Sequence, residues 1–342
     1  MTGKLGPDAA AAFLGATGAA DPGVALGPAH GEDAAAIDLG DRTLVVATDP
    51  LSLAADAVGR LAVHVACNDV AASGADPRWL TNTVLLPSAD PEVMATIADQ
   101  VDAAASDLGV AVVGGHTETV PALERPLLSM TALGTTARFL PTGGASPGDR
   151  LLLTKGAGIE ATAILATDFH EQCAAAGVPD RTLDAAAGFL DDVSVVPDAA
   201  AVRTHATAAH DPTEGGVVTG LVELAVASDT VVTVDSDRVP VRPETRACCD
   251  ALGVDPLRTF GSGALLAAVP PERLDDARDA LATAGVDAAP IGRVREPTVT
   301  EPVGGSGPNT NVESAASTGG TLILDGEPIR EPPRDELYRF WE

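Results

Sequence analysis

The amino-acid sequence predicts a chain of mixed α and β structure (α+β) that is divided into two domains. Strand-like apolar runs alternate with helical apolar periods in both halves of the 342 residues. A segment dense in glycine and proline, Pro141–Asp149, follows a completed set of strands and helices. We therefore expect an N-terminal domain at residues 1–140 and a C-terminal domain at residues 147–342.

The elements of the first half follow from local signals. A Pro-Asp start predicts a short helix at Pro7–Leu14, and the β-branched run Thr43–Thr48 predicts a buried strand. The apolar period of Ala57–Ser73 predicts a longer helix. Further on, the patterns predict a strand, a helix with an Asp-Pro start and two more strands, at Trp79–Leu86, Pro91–Leu108, Val110–Val113 and Pro126–Thr135.

The second half restarts with a strand at Leu151–Thr154, a glycine-rich turn at Lys155–Gly158 and a helix from about Ile159. Later helical periods are predicted at Leu183–Leu190, at Val195–Ala208, from HDPTEGG through about Ala227 and at Glu272–Ala284. Strands are predicted at Val231–Val234, Ala264–Val269, Ala289–Val294 and Thr321–Leu324. The polar, aperiodic segment at residues 300–320 predicts a flexible insertion.

The composition is strongly acidic and poor in lysine. The 21 lysines and arginines against 49 aspartates and glutamates give a net charge of −28, and lysine occurs only at Lys4 and Lys155. This balance is typical of proteins that stay soluble in concentrated salt, so we expect a halophilic, archaeal source. It argues against nucleic-acid binding, which needs stripes of lysine and arginine. Because most acids must be solvated surface, an acid is a candidate site residue only in a special local context.

The cysteine pattern and the hydropathy predict a cytoplasmic protein. Cys67, Cys173, Cys248 and Cys249 form no CxxC pair, which favours a reducing compartment. Asp8 precedes only a short alanine run, without the long apolar core of a signal peptide. No uncharged apolar stretch is long enough to span a bilayer, so we expect no membrane partner.

Four acid-bearing segments occur in order along the chain: GEDAA at Gly31–Ala35, TDP at Thr48–Pro50, CNDVAASGA at Cys67–Ala75 and HDPTEGG at His210–Gly216. Each places an aspartate beside turn-forming residues or just after a β-branched run, where side chains from distant segments can converge. Clustered carboxylates repel one another unless a cation lies among them, and Mg²⁺ takes oxygen ligands and brings a polyphosphate with it. The segments therefore predict an enzyme that binds Mg²⁺ and a nucleotide.

The four aspartates each have a simpler structural interpretation. Asp33 lies in a polar turn that can be plain surface, and Asp49 can cap a helix instead of binding metal. Asp211 can likewise cap the helix that HDPTEGG opens, although a helix N-terminus also favours phosphate. Asp69, with its neighbour Asn68, lies within an apolar helical pattern, where a buried acid is costly unless paired. Asp69 is therefore the strongest candidate.

The segment GGHTE follows a predicted strand. Gly114 and Gly115 would let backbone approach a ligand closely. His116 can contact substrate or transfer a proton, or it can be a histidine satisfied at a strand end. Glu118 is either a metal ligand or a surface acid.

Two further groups are candidates for the nucleotide site. Lys155 stands beside Gly156 and Gly158, which suits a phosphate contact, although an ordinary solvated lysine explains it too. The spacing differs from that of a Walker loop. In HDPTEGG, Thr213 can cap the helix or bind nucleotide, and His210 is a candidate for proton transfer.

With these motifs in order, the chain resembles the aminoimidazole ribonucleotide (AIR) synthase superfamily over about Gly27 to Val299; GD-LLLTKGAGIE and FGSGALLAAV complete the ordered set. The resemblance implies a homodimer in which the N-terminal sheets of two subunits join into a barrel, with ATP in the cleft against the second domain. It implies that Mg²⁺ is held by Asp33, Asp49, Asp69 and Asp211. The implied reaction is ATP-dependent activation of a carbonyl or amide oxygen, or phosphoryl transfer to a small-molecule acceptor.

HDPTEGG and SGALLAAV are most similar to the hydrogenase-maturation branch. That branch carries its reaction on a cysteine in a flexible C-terminal tail, whereas the last cysteine here is Cys249. His116 stands where kinases of the superfamily usually carry an acid. Two alternatives therefore stay open: a catalytically reduced nucleotide-binding regulatory or scaffold protein, and a maturation factor of the hydrogenase type. Phe340 and Trp341 predict a docked C-terminal end.

Overall fold

The computed structural model describes residues 7–29, 31–53, 56–297 and 320–342. The first half contains helices α1 (Pro7–Leu14), α2 (Val58–Ala72) and α3 (Pro91–Asp107) and strands β1 (Val24–Leu26), β2 (Ala35–Asp38), β3 (Thr43–Leu51), β4 (Asp76–Leu86), β5 (Ala111–Thr119) and β6 (Leu127–Thr136).

The first sheet has six strands in the order β1-β2-β3-β6-β4-β5. Neighbours are antiparallel except β4 and β5, which run parallel because α3 connects them. β6 alternates between buried and half-buried residues along its whole length. Its buried side chains, such as Leu128 and Met130, share one apolar core with α2, for example with Val63 and Val70. α2 thus covers one face of the sheet.

The second half contains helices α4 (Ile159–Thr167), α5 (His170–Ala175), α6 (Asp180–Ala187), α7 (Val196–Val202), α8 (Gly216–Ala227), α9 (Pro243–Leu252) and α10 (Leu274–Thr283). Its strands are β7 (Arg150–Thr154), β8 (Ala208–His210), β9 (Val231–Val234), β10 (Leu266–Val269), β11 (Ala288–Arg295), β12 (Thr321–Leu324) and β13 (Glu327–Ile329). Short 3₁₀ helices occupy Thr142–Gly144, Gly188–Asp192, Ser236–Arg238, Pro271–Arg273 and Glu336–Phe340.

The second sheet has seven strands in the order β13-β12-β9-β11-β7-β10-β8. β8 is an edge strand whose register pairs His210 with Leu266 of β10. α8 is apolar almost all round and buried over most of its length, and Val217, Val218 and Leu221 pack against the sheet. Because β8 ends at His210 and α8 begins at Gly216, the start of α8 lies close to the end of β8.

The C-terminal end is docked, as its aromatic residues predict. The ring centroid of Trp341 lies 5.0 Å from that of Phe169, and Tyr338 meets Phe260 edge-on at 5.4 Å. Asp335 accepts a hydrogen bond from the Gly215 N–H at 2.7 Å, which ties this end to the start of α8.

The predicted fold class is confirmed, because both halves are mixed α/β units, each built on its own sheet. The helix predicted at Val195–Ala208 is wrong at its end: α7 stops at Val202, and Ala208 begins β8. An edge strand of three residues gives too short a pattern to read from sequence. The exact limits at residues 140 and 147 stay predictions, and the insertion predicted at residues 300–320 lies almost entirely outside the described residues. Within the described part of the chain, no helix combines the length and apolarity needed to cross a bilayer.

Candidate metal centre

Three of the predicted aspartates converge where the two halves of the chain meet. Asp33 lies in the turn before β2, Asp69 lies in α2, and Asp211 follows β8 directly. One carboxylate oxygen of each lies within 4.8 Å of the other two. Asp69 and Asp211 are buried and Asp33 is half-buried. Segments far apart in sequence thus place three acids in one small volume.

Asp49 on β3 lies beside this cluster, close enough to Asp69 for its carboxyl group to raise the pKa of Asp69. Within the described structure, Oδ2 of Asp49 and both carboxylate oxygens of Asp211 are buried and accept no hydrogen bond from an N–H group or a hydroxyl. The polar neighbour of Asp211 is the carboxyl group of Asp69. Unpartnered buried carboxylates are costly. Burial, followed by the charges of the neighbouring acids, raises the pKa of both Asp69 and Asp211 well above the ordinary value. Hard, unpartnered oxygens in mutual repulsion fit a divalent cation such as Mg²⁺.

His210 lies between two carboxylates. Its side chain is 2% exposed, with Nδ1 at 2.5 Å from Oδ2 of Asp33 and Nε2 at 3.0 Å from Oε2 of Glu223. Burial alone would lower the pKa of His210, but the two carboxylates outweigh it and raise the pKa well above its ordinary value. Both ring nitrogens of His210 are therefore engaged by carboxylates, one of which is that of Asp33.

The turn Gly31–Asp33 is fixed at three points to the second half of the chain. Gly31 has φ +80°, and a Cβ there would lie 3.1 Å from the Glu223 carbonyl oxygen. The Glu32 carboxylate accepts hydrogen bonds from the N–H groups of Thr142 and Gly143, both at 2.9 Å. Asp33 pairs with His210. The turn thus joins the first sheet to the helix that follows Asp211.

The simpler interpretations of these aspartates are wrong. Asp33 is not plain surface, since it pairs with a buried histidine. Asp49 lies inside β3, where it is in register with Met130, and not before a helix. Asp211 does not cap α8, because Gly215 occupies the N-cap position in a left-handed conformation, and the side chain that accepts from the Gly215 N–H is that of Asp335. In this turn the carbonyl oxygen of Thr213 accepts hydrogen bonds from the N–H groups of Gly216 and Gly261, at 3.0 Å each.

Asn68 contacts backbone in the described structure. Its Nδ2 donates to the Val193 carbonyl at 2.8 Å, and its Oδ1 accepts from the Val195 N–H at 2.8 Å. The side chain is fully buried. This two-way amide contact fixes α2 against the segment that leads into α7, and so holds Asp69, the next residue, in place.

Lys155 also has intramolecular partners. Its Nζ donates to the carbonyl oxygens of Asp192 and Ser194 at 3.0 and 2.7 Å and lies 3.2 Å from Oδ2 of Asp198. An ammonium has three hydrogens, so a phosphate contact would need one of these bonds to open. Burial lowers the pKa of Lys155, and Asp198 opposes that shift. Gly156 and Gly158 have φ +128° and +69°, which lets the loop pass beneath Pro240 and Pro256.

The GGHTE residues lie on the edge strand β5 and outside the three-aspartate cluster. Every residue of β5 is exposed. Nε2 of His116 lies 3.6 Å from Oε2 of Glu118, and both side chains are more than half exposed. A Cβ at Gly114 would make an ordinary contact with Cγ2 of Thr81 at 4.0 Å, whereas a Cβ at Gly115 would lie 2.4 Å from the backbone carbonyl oxygen of Asn82. Within one chain, the structure does not bring Glu118 to the aspartates.

Glu223 was not among the predicted site residues, although it completes the site. It stands in the apolar run Gly216–Ala227, which is the same signal that singled out Asp69: one acid inside an apolar helical pattern. Gly220, one turn earlier, lacks a side chain where a Cβ would lie 3.0 Å from Cδ2 of His210. α8 therefore leaves space for the imidazole of His210 at Gly220 and supplies the Glu223 carboxylate that accepts its hydrogen bond.

Comparison with known proteins identifies the family of this chain. Residues 31–136 match the family model described as "AIR synthase related protein, N-terminal domain", and residues 146–303 match "AIR synthase related protein, C-terminal domain". Together these matches span well over half of the chain, so the chain belongs to the AIR synthase related family.

Among curated proteins, the carbamoyl dehydratase HypE of Rhizobium leguminosarum bv. viciae is 29% identical over 316 residues, or 89% of this chain and 85% of that protein. The carbamoyl dehydratase HypE of Azotobacter vinelandii is 32% identical over 278 residues, covering 77% and 78%. The crystal structure of the hydrogenase maturation protein HypE in complex with ATP is 26% identical, with a TM-score of 0.68 over 86% of this chain and 85% of that one. A ThiL structure complexed with AMPPCP and TMP, at 22% identity and a TM-score of 0.69 over 89% and 90%, shares the fold.

Proposed function

We propose that this protein is an ATP- and Mg²⁺-dependent enzyme that acts on a small molecule. The observation that carries the proposal is the group of unpartnered, buried carboxylate oxygens on Asp49 and Asp211 beside Asp33 and Asp69. A HypE relative and a ThiL relative of the same fold have been crystallised with ATP and with AMPPCP, which supports a nucleotide as the ligand.

In this proposal Asp33, Asp49, Asp69 and Asp211 hold the cation. When bound, Mg²⁺ would neutralise these acids and the phosphate charge that meets them. The reaction class is activation of a carbonyl or amide oxygen by ATP, or phosphoryl transfer to a small acceptor. Relatives named carbamoyl dehydratase support the first of these.

The roles of the basic residues follow from their contacts. His210 acts through Asp33, because both of its nitrogens face carboxylates in the protein interior. His116 is the exposed candidate for proton transfer. Lys155 can reach phosphate only by exchanging one of its bonds to the segment at residues 192–198. Gly156, Gly158 and Thr213 form the turns that would border the nucleotide.

Titration calorimetry in concentrated KCl tests this function. Wild type is expected to bind ATP only with Mg²⁺ present, and Asp69→Asn is expected to weaken that binding at least tenfold without loss of fold. ATP affinity that is indifferent to both Mg²⁺ and Asp69→Asn would refute the proposed site.

We further propose a homodimer through the first sheet. β5 exposes every residue, with Val112 and Val113 45% and 59% accessible. An edge strand with apolar side chains and unpaired backbone is a template for pairing with another chain. A second copy of this sheet is the proposed occupant, and the reduced, buried cysteines support a cytoplasmic setting.

A nucleotide-binding regulatory or scaffold protein is the second candidate. It is favoured by one observation: Lys155 and His210, two groups proposed for phosphate contact and proton transfer, are both held by intramolecular partners. ATP hydrolysis or acceptor-dependent ADP release by the isolated protein supports the enzyme. Tight Mg²⁺-dependent ATP binding with no turnover across a panel of carbamoyl, phosphoryl and amide acceptors supports the second candidate.

A further inference from the structure

We infer that Glu223 is a positioning residue of the metal centre, acting on Asp33 through His210. The inference rests on the proposed function, since it needs a cation at the aspartates. Glu223 lies in α8, outside the sequence motifs that predicted the nucleotide site. The chain of contacts runs from Oε2 of Glu223 to Nε2 of His210 at 3.0 Å, and from Nδ1 of His210 to Oδ2 of Asp33 at 2.5 Å.

The three side chains in this series of contacts are largely buried, so the contacts are not solvated surface ion pairs. The side chains of Glu223 and His210 are 5% and 2% exposed, and that of Asp33 is 15% exposed. A carboxylate oxygen only accepts hydrogen bonds, so each ring nitrogen must direct an N–H at its carboxylate while both are ionised. With both nitrogens committed, the imidazole plane is fixed. The position of Oδ2 of Asp33 is then fixed as well.

Close packing of the surrounding backbone also holds Glu223, His210 and Asp33 together. Gly31, two residues before Asp33, packs against the carbonyl oxygen of Glu223, and Gly220 leaves room for the imidazole ring. Glu223 thus meets the Gly31–Asp33 turn twice, through its backbone and through His210. Partners that hydrogen-bond a metal ligand from outside commonly affect metal affinity by about 10- to 100-fold.

The test measures Mn²⁺ binding to the full-length protein without nucleotide, by the loss of the free Mn²⁺ signal in electron paramagnetic resonance. Glu223→Ala is expected to weaken Mn²⁺ binding about 10- to 100-fold. Glu223→Gln keeps a carbonyl oxygen that can accept from Nε2, and it is expected to stay within about threefold of wild type. Glu160→Ala removes an equally buried acid elsewhere in the second half of the chain, and no change in affinity is expected.

The inference is overturned if Glu223→Ala binds Mn²⁺ like wild type, if Glu223→Gln is as weak as Glu223→Ala, or if Glu160→Ala loses as much. Circular dichroism confirms that each variant is folded, and the ratio of the KM for Mg²⁺ to the KM for ATP should rise in Glu223→Ala but not in Glu223→Gln or Glu160→Ala. Asp69→Asn separates the two levels of the argument. If neither Asp69→Asn nor Glu223→Ala weakens Mn²⁺ binding, the proposed metal site itself is refuted. If Asp69→Asn abolishes Mn²⁺ binding and Glu223→Ala does not weaken it, the metal site is supported and the role of Glu223 is refuted.

Discussion

Asp69→Asn should have opposite effects on stability without and with Mg²⁺. In the metal-free protein the Asp69 carboxylate is buried beside Asp211 and Asp33, and its burial, followed by the charges of Asp49, Asp211 and Asp33, raises its pKa well above the ordinary value. The wild type therefore carries a repulsive charge or an extra proton at this position. Asparagine has nearly the same shape and no charge, so it should stabilise the metal-free fold.

The size of the effect follows from the geometry. Two carboxylates with oxygens within 4.8 Å repel by roughly 3 kcal/mol at an effective dielectric constant of about 20. Protonation relieves part of this, which leaves a net gain of about 2 kcal/mol for Asp69→Asn. For a chain of this size, about 2 °C per kcal/mol gives a rise in Tm of about 4 °C. Saturating Mg²⁺, at about 1,000 times the wild-type Kd, adds about 4 kcal/mol to wild type. At the same concentration a variant with a Kd about 100-fold weaker gains only about 1.4 kcal/mol, so the order of the two Tm values reverses.

Differential scanning calorimetry in concentrated KCl, with EDTA or with Mg²⁺, measures both Tm values. The matched control is Asp102→Asn, which removes an exposed acid from α3 and should shift neither. If Asp69→Asn lowers Tm equally in both conditions, Asp69 is a structural residue and the reasoning about repulsion is refuted.

Three further predictions concern pH, assembly and thiol chemistry. Burial raises the pKa of Glu160 and Asp335 to about 7 from ordinary values of 4.5 and 3.8, so the stability they contribute is present at low pH and lost as pH rises through 7. The metal-free Tm should therefore fall as the pH rises from 5 to 8. A Tm that does not change with pH would contradict this prediction, and so would a decrease that is equally steep in the Glu160→Gln/Asp335→Asn double variant. Light scattering at low micromolar concentration in KCl should show a dimer, and Val113→Glu should convert it to a monomer. The control Val93→Glu, on the exposed face of α3, should leave the dimer intact. A wild-type monomer would count against the proposed interface. Incubation with a carbamoyl donor and ATP should leave the intact mass unchanged, because all four cysteines are buried and burial raises the pKa of Cys67 to about 12; a stable carbamoyl or cyano adduct would favour the hydrogenase-maturation reaction.

Local signals in the sequence were enough for most elements and for the acids of the site. Helical periods and β-branched runs depend on neighbours a few residues away, so α2, α3 and β3 were predicted close to their observed bounds. Asp69 stood out because an acid inside an apolar helix is costly wherever that helix packs. The same rule, applied to the run that became α8, would have found Glu223.

The partners of each side chain were decided by the tertiary structure alone. The sequence offered Lys155 beside glycines and His210 beside an aspartate, and both suggested open, reactive groups. In the fold, Lys155 is turned to the carbonyl oxygens of Asp192 and Ser194, and His210 lies between carboxylates from distant segments. Likewise, GGHTE was predicted at a strand end, but β5 continues through it as an exposed edge. Periodicity and composition report on the local backbone and on burial, whereas hydrogen-bond partners and edge positions depend on which segments pack together across the chain.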